Sequence, residues 1–309
     1  MSSQYNISEV STLTGVPKDL LRMWERRYGY PDPQRDSNGD RSYSQSQMEK
    51  LLLIRQLIDQ GKRPGKLVAM DSEALAELLA LPKEALDSKA FISLLADGDL
   101  QSLTAWLQQQ LTRYGLRDYI HQILATATKA VGNAWANGDI PIHKEHLYTE
   151  AVKTQLRKAL GELEVIGKSP RIMLTTVPGE QHSLGLMMVE GLLKLGGAEV
   201  IPFGTEMPFQ EIKEAAGYHQ VDVIALSFSA SFKTDDAIVM LSGLRQLIDA
   251  DIAIWAGGGA FEQPHTMPNG IQLLASLEAV EQQLIEWKSN CQIRSEPVLT
   301  HGIKDNQPN

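Results

Sequence analysis

Gly179-Glu180-Gln181-His182-Ser183-Leu184-Gly185 is the stretch on which the reading of this chain turns. A short apolar run, 172–177, precedes it and reads as a buried strand. Residues 184–195 follow, with apolar positions at helical spacing and a stop at Gly196-Gly197. His182 is therefore expected in a loop at the carboxyl end of a strand, where open α/β sheets bind their ligands. The alternation continues, with strands at 199–203, 221–228 and 252–256 and helices at 209–219 and 235–248. That pattern argues a parallel, doubly wound sheet.

A single loop histidine is more often structural than functional. Its surroundings carry more information. Forty-one residues separate Gly185 from Ser227, and twenty-seven separate Ser229 from the glycine run at Gly257-Gly258-Gly259. An acid, a His, a Gly, a strand-end Ser and a double Gly at these distances resemble the cobalamin-binding domain, over about residues 170–287. That family carries Asp-x-His-x-x-Gly, Ser-x-Leu and Gly-Gly. The resemblance implies a flavodoxin-like, Rossmann-type fold. It also implies that His182 ligates cobalt from below, displacing the cofactor's own base. The chemistry agrees, since neutral imidazole is a good ligand for such metals and a metal-bound His usually gives its other N–H to a carboxylate. Glu180 is placed for that task. By resemblance Ser227 and Ser229 meet the nucleotide tail, and Gly185, Gly257 and Gly258 leave room for the cofactor. Two positions depart from the family: Glu180 stands for Asp, and Ser229 for Leu.

The chain has 309 residues, 43 % of them hydrophobic, enough for two or three cored domains. No apolar run is long enough to span a membrane, no secretory signal is visible, and Cys291 is the lone cysteine. A cytoplasmic protein is the expectation. Net charge is −9, but unevenly spread. Residues 1–70 hold eleven Lys and Arg against eight Asp and Glu, and the remainder holds 18 against 30. A mildly basic end on an acidic body suits a small nucleic-acid module joined to a sensing module.

In that basic end, a short helix from about Ile7, with Ser8 as cap, a Gly15 turn and a helix over 18–28 form a helix-turn-helix candidate. Leu20, Leu21 and Trp24 would pack it, leaving Lys18, Arg22, Arg26 and Arg27 outward. Asn38-Gly39 marks the tip of a following hairpin. The run Trp24-Glu25-Arg26-Arg27-Tyr28-Gly29, then Pro33-x-Arg35, then Gly39-x-Arg41-x-Tyr43, resembles the MerR family of winged-helix transcription regulators over about residues 5–68. The resemblance implies a double-stranded DNA operator as partner and DNA contacts from Lys18, Arg22, Arg26, Arg27, Tyr28, Arg35, Arg41 and Tyr43. A third helix follows, capped by Ser44. Gly61, Pro64 and Gly65 then interrupt any long coiled coil, so a dimer or tetramer must form through the carboxy-terminal module.

The domain expectation is a winged helix-turn-helix at 1–70, a linker at 71–87, a four-helix bundle at 88–167, the α/β domain at 168–289 and a disordered tail at 290–309. In the bundle, Trp135 ends one helix, and Glu145 and His146 begin the next after nine residues. The ends of a helical hairpin meet, so the three can converge. They resemble the cap of light-sensing, cobalamin-dependent MerR repressors, implying adenosylcobalamin or methylcobalamin with its organic group beneath Trp135. The light sensors have a cobalt-binding His directly after that Trp; here Ala136 stands there and cannot ligate. The functional expectation is a non-enzymatic, cobalamin-controlled transcription regulator responsive to light through the Co–C bond. The alternatives are a corrinoid carrier of a methyltransferase and a MerR-type regulator with a degenerate cofactor site.

Overall fold

A computed structural model describes residues 4–35, 39–59, 61–80, 86–163, 169–261 and 265–295. The first unit comprises β1 (Gln4–Asn6), α1 (Ile7–Thr14), α2 (Lys18–Tyr28), β2 (Gln34–Arg35), β3 (Arg41–Ser44), α3 (Gln45–Asp59), α4 (Pro64–Leu67) and α5 (Ser72–Ala80). The cap of α1 is Asn6 rather than Ser8. Its side chain accepts from the N–H groups of Ser8 and Glu9, and Glu9 accepts in return from the N–H of Asn6. Two helix-end donors are thereby satisfied at once. Gly15, at φ 68, makes the turn into α2, a left-handed conformation that favours glycine. Strands β2 and β3 form the expected antiparallel wing, and β1 adds a third strand beyond β3. The expected hairpin tip, Asn38, lies outside the described residues.

The linker expected at 71–87 is in part a core element. Leu75 in α5 is fully buried with Val10, Trp24 and Leu51, so the first unit extends to residue 80.

The second unit is the bundle: α6 (Ser88–Asp97), α7 (Leu100–Asp118), a π-helical turn (Tyr119–Leu124), α8 (Ala125–Ala136) and α9 (Ile142–Gly161). Asp87 and Asp99 cap α6 and α7 through their carboxylates. Gly115 kinks α7, with φ 73 and ψ 162 inside the helix.

The third unit contains β4 (Arg171–Thr175), α10 (Leu184–Leu195), β5 (Glu199–Gly204), α11 (Phe209–Tyr218), β6 (Val223–Ser227), α12 (Thr234–Leu247), β7 (Ala253–Gly257), β8 (Ile271–Leu274) and α13 (Leu277–Ser295). Its strands pair in parallel in the order β5-β4-β6-β7-β8. The chain leaves β4 to one side and returns to β6 on the other. The crevice at the carboxyl ends of β4 and β6 is thus the switch point where such sheets bind ligands. Strand β8 was not foreseen from the sequence. Nor was α13, which corrects the expected tail: the chain is helical to Ser295, and 296–309 lie outside the described residues. Among the described residues no helix is long and apolar enough to cross a membrane.

Helix α10 belongs to two cores. Leu186 and Leu193 face the sheet, while Leu184, Met188 and Leu192 complete the bundle core. A glycine at 191 permits this, because a Cβ there would stand 2.8 Å from Ile120 and 3.5 Å from Leu160. Bundle and sheet are consequently one packed module around α10.

If α5 belongs to the winged unit, Leu75→Ala removes a fully buried side chain. The expected cost is about 2–5 kcal/mol of that unit's stability, read as an earlier urea transition of the full chain.

Candidate cofactor-binding site

The loop after β4 is built around one buried carboxylate. Glu180 is 1 % exposed. Its Oε1 accepts from the backbone N–H of His182 at 2.9 Å and from the ring Nδ1 at 2.7 Å, and its Oε2 accepts from the N–H of Ser229 at 2.7 Å. Burial pushes the Glu180 carboxyl up, but the backbone N–H groups of His182 and Ser229, with the His182 ring, outweigh it and hold it below the usual range. An ionised carboxylate only accepts, so Nδ1 carries a proton, and in the neutral ring the lone pair falls on Nε2. The His182 side chain is 63 % exposed, and among the described residues Nε2 has no partner. The longer Glu thus reaches both groups that an orienting carboxylate must hold.

Sequence reasoning missed Thr176. Its side chain is fully buried, and its hydroxyl donates to the carbonyl of Glu180 at 2.6 Å while accepting from the N–H of Glu206 at 2.8 Å. Its carbonyl accepts from the N–H of Met207 at 3.0 Å. Thr176 therefore pins the His182 loop to the loop after β5, where Glu206 is held at φ 60. A buried threonine next to a strand end reads in sequence as core, so nothing flagged it.

The other expected site residues line the same crevice. Gly185 opens α10 against the end of β6, and a Cβ there would lie 3.2 Å from Ser227 Oγ. Ser229 Oγ is buried without a partner, a polar atom still owed a hydrogen bond. The reason for Gly257 and Gly258 needs correcting. A Cβ on Gly257 would fall 2.4 Å from the Leu274 carbonyl, and one on Gly258, at φ 111, would fall 2.2 Å from the Phe228 carbonyl. The space they spare is taken by the protein's own backbone, rather than left open for a bulky ring.

Trp135 ends α8 with its ring about half exposed. The turn is closed by N–H groups of Gly138 and Asp139 on the carbonyls of Trp135 and Ala134, which brings Glu145 and His146 to the same end of the hairpin. Glu145 accepts from Thr149 at 2.8 Å and lies 2.9 Å from Nδ1 of His146. Helices α9 and α10 finish beside one another, where Glu162, Leu163, Lys194 and Leu195 line one small cavity. Because α10 also lies along the bundle core, its His182 end points the same way as the Glu145–His146 end of α9.

On the winged unit, Lys18, Arg22, Arg26 and Arg27 are exposed along α2. Arg35 is exposed and donates to the Gly39 carbonyl at 2.9 Å, tightening the wing. Tyr28 lies half-buried beside Gly65 with the Arg27 guanidinium 5.3 Å from its ring centre. Two expected DNA contacts are corrected. Residues 41 and 43 share one face of β3, since side chains alternate along a strand, and that face turns toward the core of the winged unit. Tyr43 is fully buried in the core, and Arg41 is paired with Glu25 at 2.7 Å.

Comparisons with known proteins agree with this division. Residues 5–70 match the MerR HTH family regulatory protein domain, 88–159 one B12 binding domain and 170–274 another. The chain thus carries a MerR HTH domain followed by a cobalamin-binding module of two parts. HTH-type transcriptional repressor CarH of Myxococcus xanthus is 27% identical over 267 residues, 83% of this chain and 89% of its own. HTH-type transcriptional repressor CarA of the same organism is 29% identical over 230 residues, 72% and 75% respectively. HTH-type transcriptional regulator MlrA of Escherichia coli (strain K12) is 28% identical over 122 residues, 40% of this chain and 47% of its own. Cobalamin is the cofactor of such a module, and the residues present fit it. Nε2 of His182 offers an oriented lone pair, and Ser229 Oγ offers an unpaired buried hydroxyl beside it.

Thr176→Val deletes the pin of the ligand loop without changing its volume much. Cobalamin affinity should fall about ten- to a hundredfold, as for other outer-shell partners, while Thr176→Ser retains it; equilibrium binding followed by absorbance checks both.

Proposed function

We propose that this MerR-type regulator is a DNA-binding switch whose operator affinity is set by a cobalamin gripped between bundle and α/β unit. The observation that carries the reading is the His182 side chain, locked by a buried Glu180 with Nε2 bare and turned to solvent. When bound, the cofactor supplies a cobalt ion with a light-cleavable bond to an organic upper group. His182 would hold it from below. Ser227 and Ser229 would take its nucleotide tail. Trp135, Glu145 and His146 would cover the upper group, which favours adenosylcobalamin or methylcobalamin.

Occupation of such a cleft favours the arrangement in which both walls fit, by the difference in affinity between the two arrangements. The winged unit is tied to one of those walls. Lys62 donates to the carbonyls of Thr112 at 2.7 Å and Arg113 at 3.2 Å, just ahead of the kink at Gly115. Arg63 pairs with Glu162, and Gly61, at φ 84, sits directly on Leu116. A change at the cleft thus has a mechanical path to the DNA-facing helix. Assembly of several chains through the module would join several weak DNA units and multiply affinity without new contacts. Light would act by removing the upper group; Ala136 removes the second cobalt ligand from that scheme, so the light response would rest on loss of cover alone.

A corrinoid carrier has no use for the exposed basic face of α2, and this disfavours it. His182→Ala should abolish the cofactor-dependent part of operator binding and alter the absorbance spectrum of the complex. Operator binding that is equally tight in the apoprotein, the complex and His182→Ala would sink the proposal. Arg26→Ala should weaken binding across sequences and lower the salt slope by about one, measured by titration at several salt concentrations.

A further inference from the structure

His121 lies in the π-helical turn between α7 and α8, a helix irregularity often found at functional positions. Its side chain is 15 % exposed. Both ring nitrogens face carboxylates: Nδ1 lies 3.0 Å from Glu278 and Nε2 2.8 Å from Glu281. Both carboxylates come from α13, more than 150 residues further along the chain. A neutral imidazole has one N–H, and a carboxylate only accepts. The full pair of bonds therefore requires the imidazolium. Arg117, 3.0 Å from the other oxygen of Glu281, is the further cation at the cluster. On α10, packed against both elements, Lys194 is committed to Glu190 at 2.5 Å; on α13, Lys288 is committed to the Gly196 carbonyl at 2.6 Å.

The cluster joins the two walls of the proposed cleft. His121 is carried by the bundle, whose core holds its neighbours Tyr119, Ile120, Ile123 and Leu124. Helix α13 is carried by the sheet unit through Val280 and Leu284, and Trp287 packs edge-on against Trp255. Residue 121 is fourteen residues before Trp135, about 21 Å along the helix axis. The bundle rests on α10 along an apolar seam, and apolar contact resists separation without itself fixing a tilt. The His121 cluster supplies those bonds at the end remote from Trp135, so a small loosening there swings the covering end.

We infer that His121 is a proton-operated clamp between the bundle and α13, which favours the cofactor-holding arrangement when charged and releases it when neutral. The inference rests on the cobalamin reading above for its ligand, though not for the clamp itself. The hydrogen bond to Glu281, opposed by burial and helped by the charges of Glu281 and Glu278, raises the His121 pKa above its ordinary value. With the folded value raised, the contribution is complete below about pH 6.5 and is lost as pH rises through the folded value.

The test uses the full chain, dark, from pH 5.5 to 9. Thermal midpoints of the apoprotein are compared with those of His121→Gln, and adenosylcobalamin affinity is measured on both across the same range. The wild type should lose apoprotein stability as pH rises where the variant does not. Its affinity should fall by up to about tenfold per pH unit above the folded pKa, while the variant stays flat at the alkaline level. Glu278→Gln removes only the charge of the more exposed carboxylate and should move both transitions to lower pH with the fold intact. Parallel wild-type and variant profiles in the apoprotein overturn the clamp. A lost stability slope beside unchanged affinity profiles overturns its coupling to the cofactor. If no cobalamin binds at any pH, the cofactor reading fails, and the apoprotein profiles still decide the clamp.

Discussion

A buried carboxylate with three donors aimed at it is the constraint from which the rest of this molecule follows. Glu180 cannot leave its place without stranding the N–H groups of His182 and Ser229 and the imidazole Nδ1. Two of those donors come from its own loop and one from the end of β6, so the carboxylate also ties together the neighbouring strands at the switch point. An isolated buried charge would be costly, but one surrounded by oriented N–H groups is held ionised. The result is an imidazole whose tautomer and direction are fixed before any ligand arrives. Thr176 extends the same network to the loop after β5. Preorganisation of this kind lowers the ordering cost that a metal site would otherwise meet on binding.

The two interfaces of the cobalamin module differ in kind. Between bundle and sheet runs an apolar seam shared along α10, dense enough that Gly191 is needed for Ile120 to approach. Between the winged unit and the bundle the contacts are chiefly polar and few: Lys62 on two carbonyls, Arg63 on Glu162, and Gly61 on Leu116. Apolar seams are broken only at large cost, whereas half-exposed ion pairs contribute little and exchange readily with water. The winged unit is accordingly the more weakly held of the bundle's two neighbours.

Legibility in the sequence follows from how local the cause is. Helices α2 and α10 are readable to the residue because their limits are set by Pro17, Gly29 and Gly196 beside clear apolar faces. His182 and Glu180 stand out through a motif that resembles a known domain, and the parallel sheet through its alternation of strands and helices. What resists reading is set by distant partners. Tyr43 and Arg41 sit in a motif that resembles a DNA-contacting wing, yet Tyr43 is drawn into a core built by distant helices and Arg41 is taken up by Glu25. Leu75 lies in a short helix between glycine- and proline-marked breaks, and only the core of α3 makes it structural. Strand β8 has four residues at a sheet edge, too short for a period to emerge. The His121 cluster needs a π turn and a helix more than 150 residues away to meet.

The glycine run after β7 shows why a motif can be read correctly for a reason that the structure replaces. Gly257 and Gly258 are explained at sequence level by room for a flat, bulky ligand. In the fold, the Leu274 and Phe228 carbonyls occupy the positions their side chains would take. Their work is to let β6, β7 and β8 close together at the carboxyl edge, which sets Phe228 and hence Ser229, the residue whose N–H fixes Glu180. The glycines bear on His182 through links of backbone rather than through open space. A side chain at Gly258 would therefore disturb His182 from across the sheet edge, by pushing the β6 loop off Glu180, without touching the ligand loop itself.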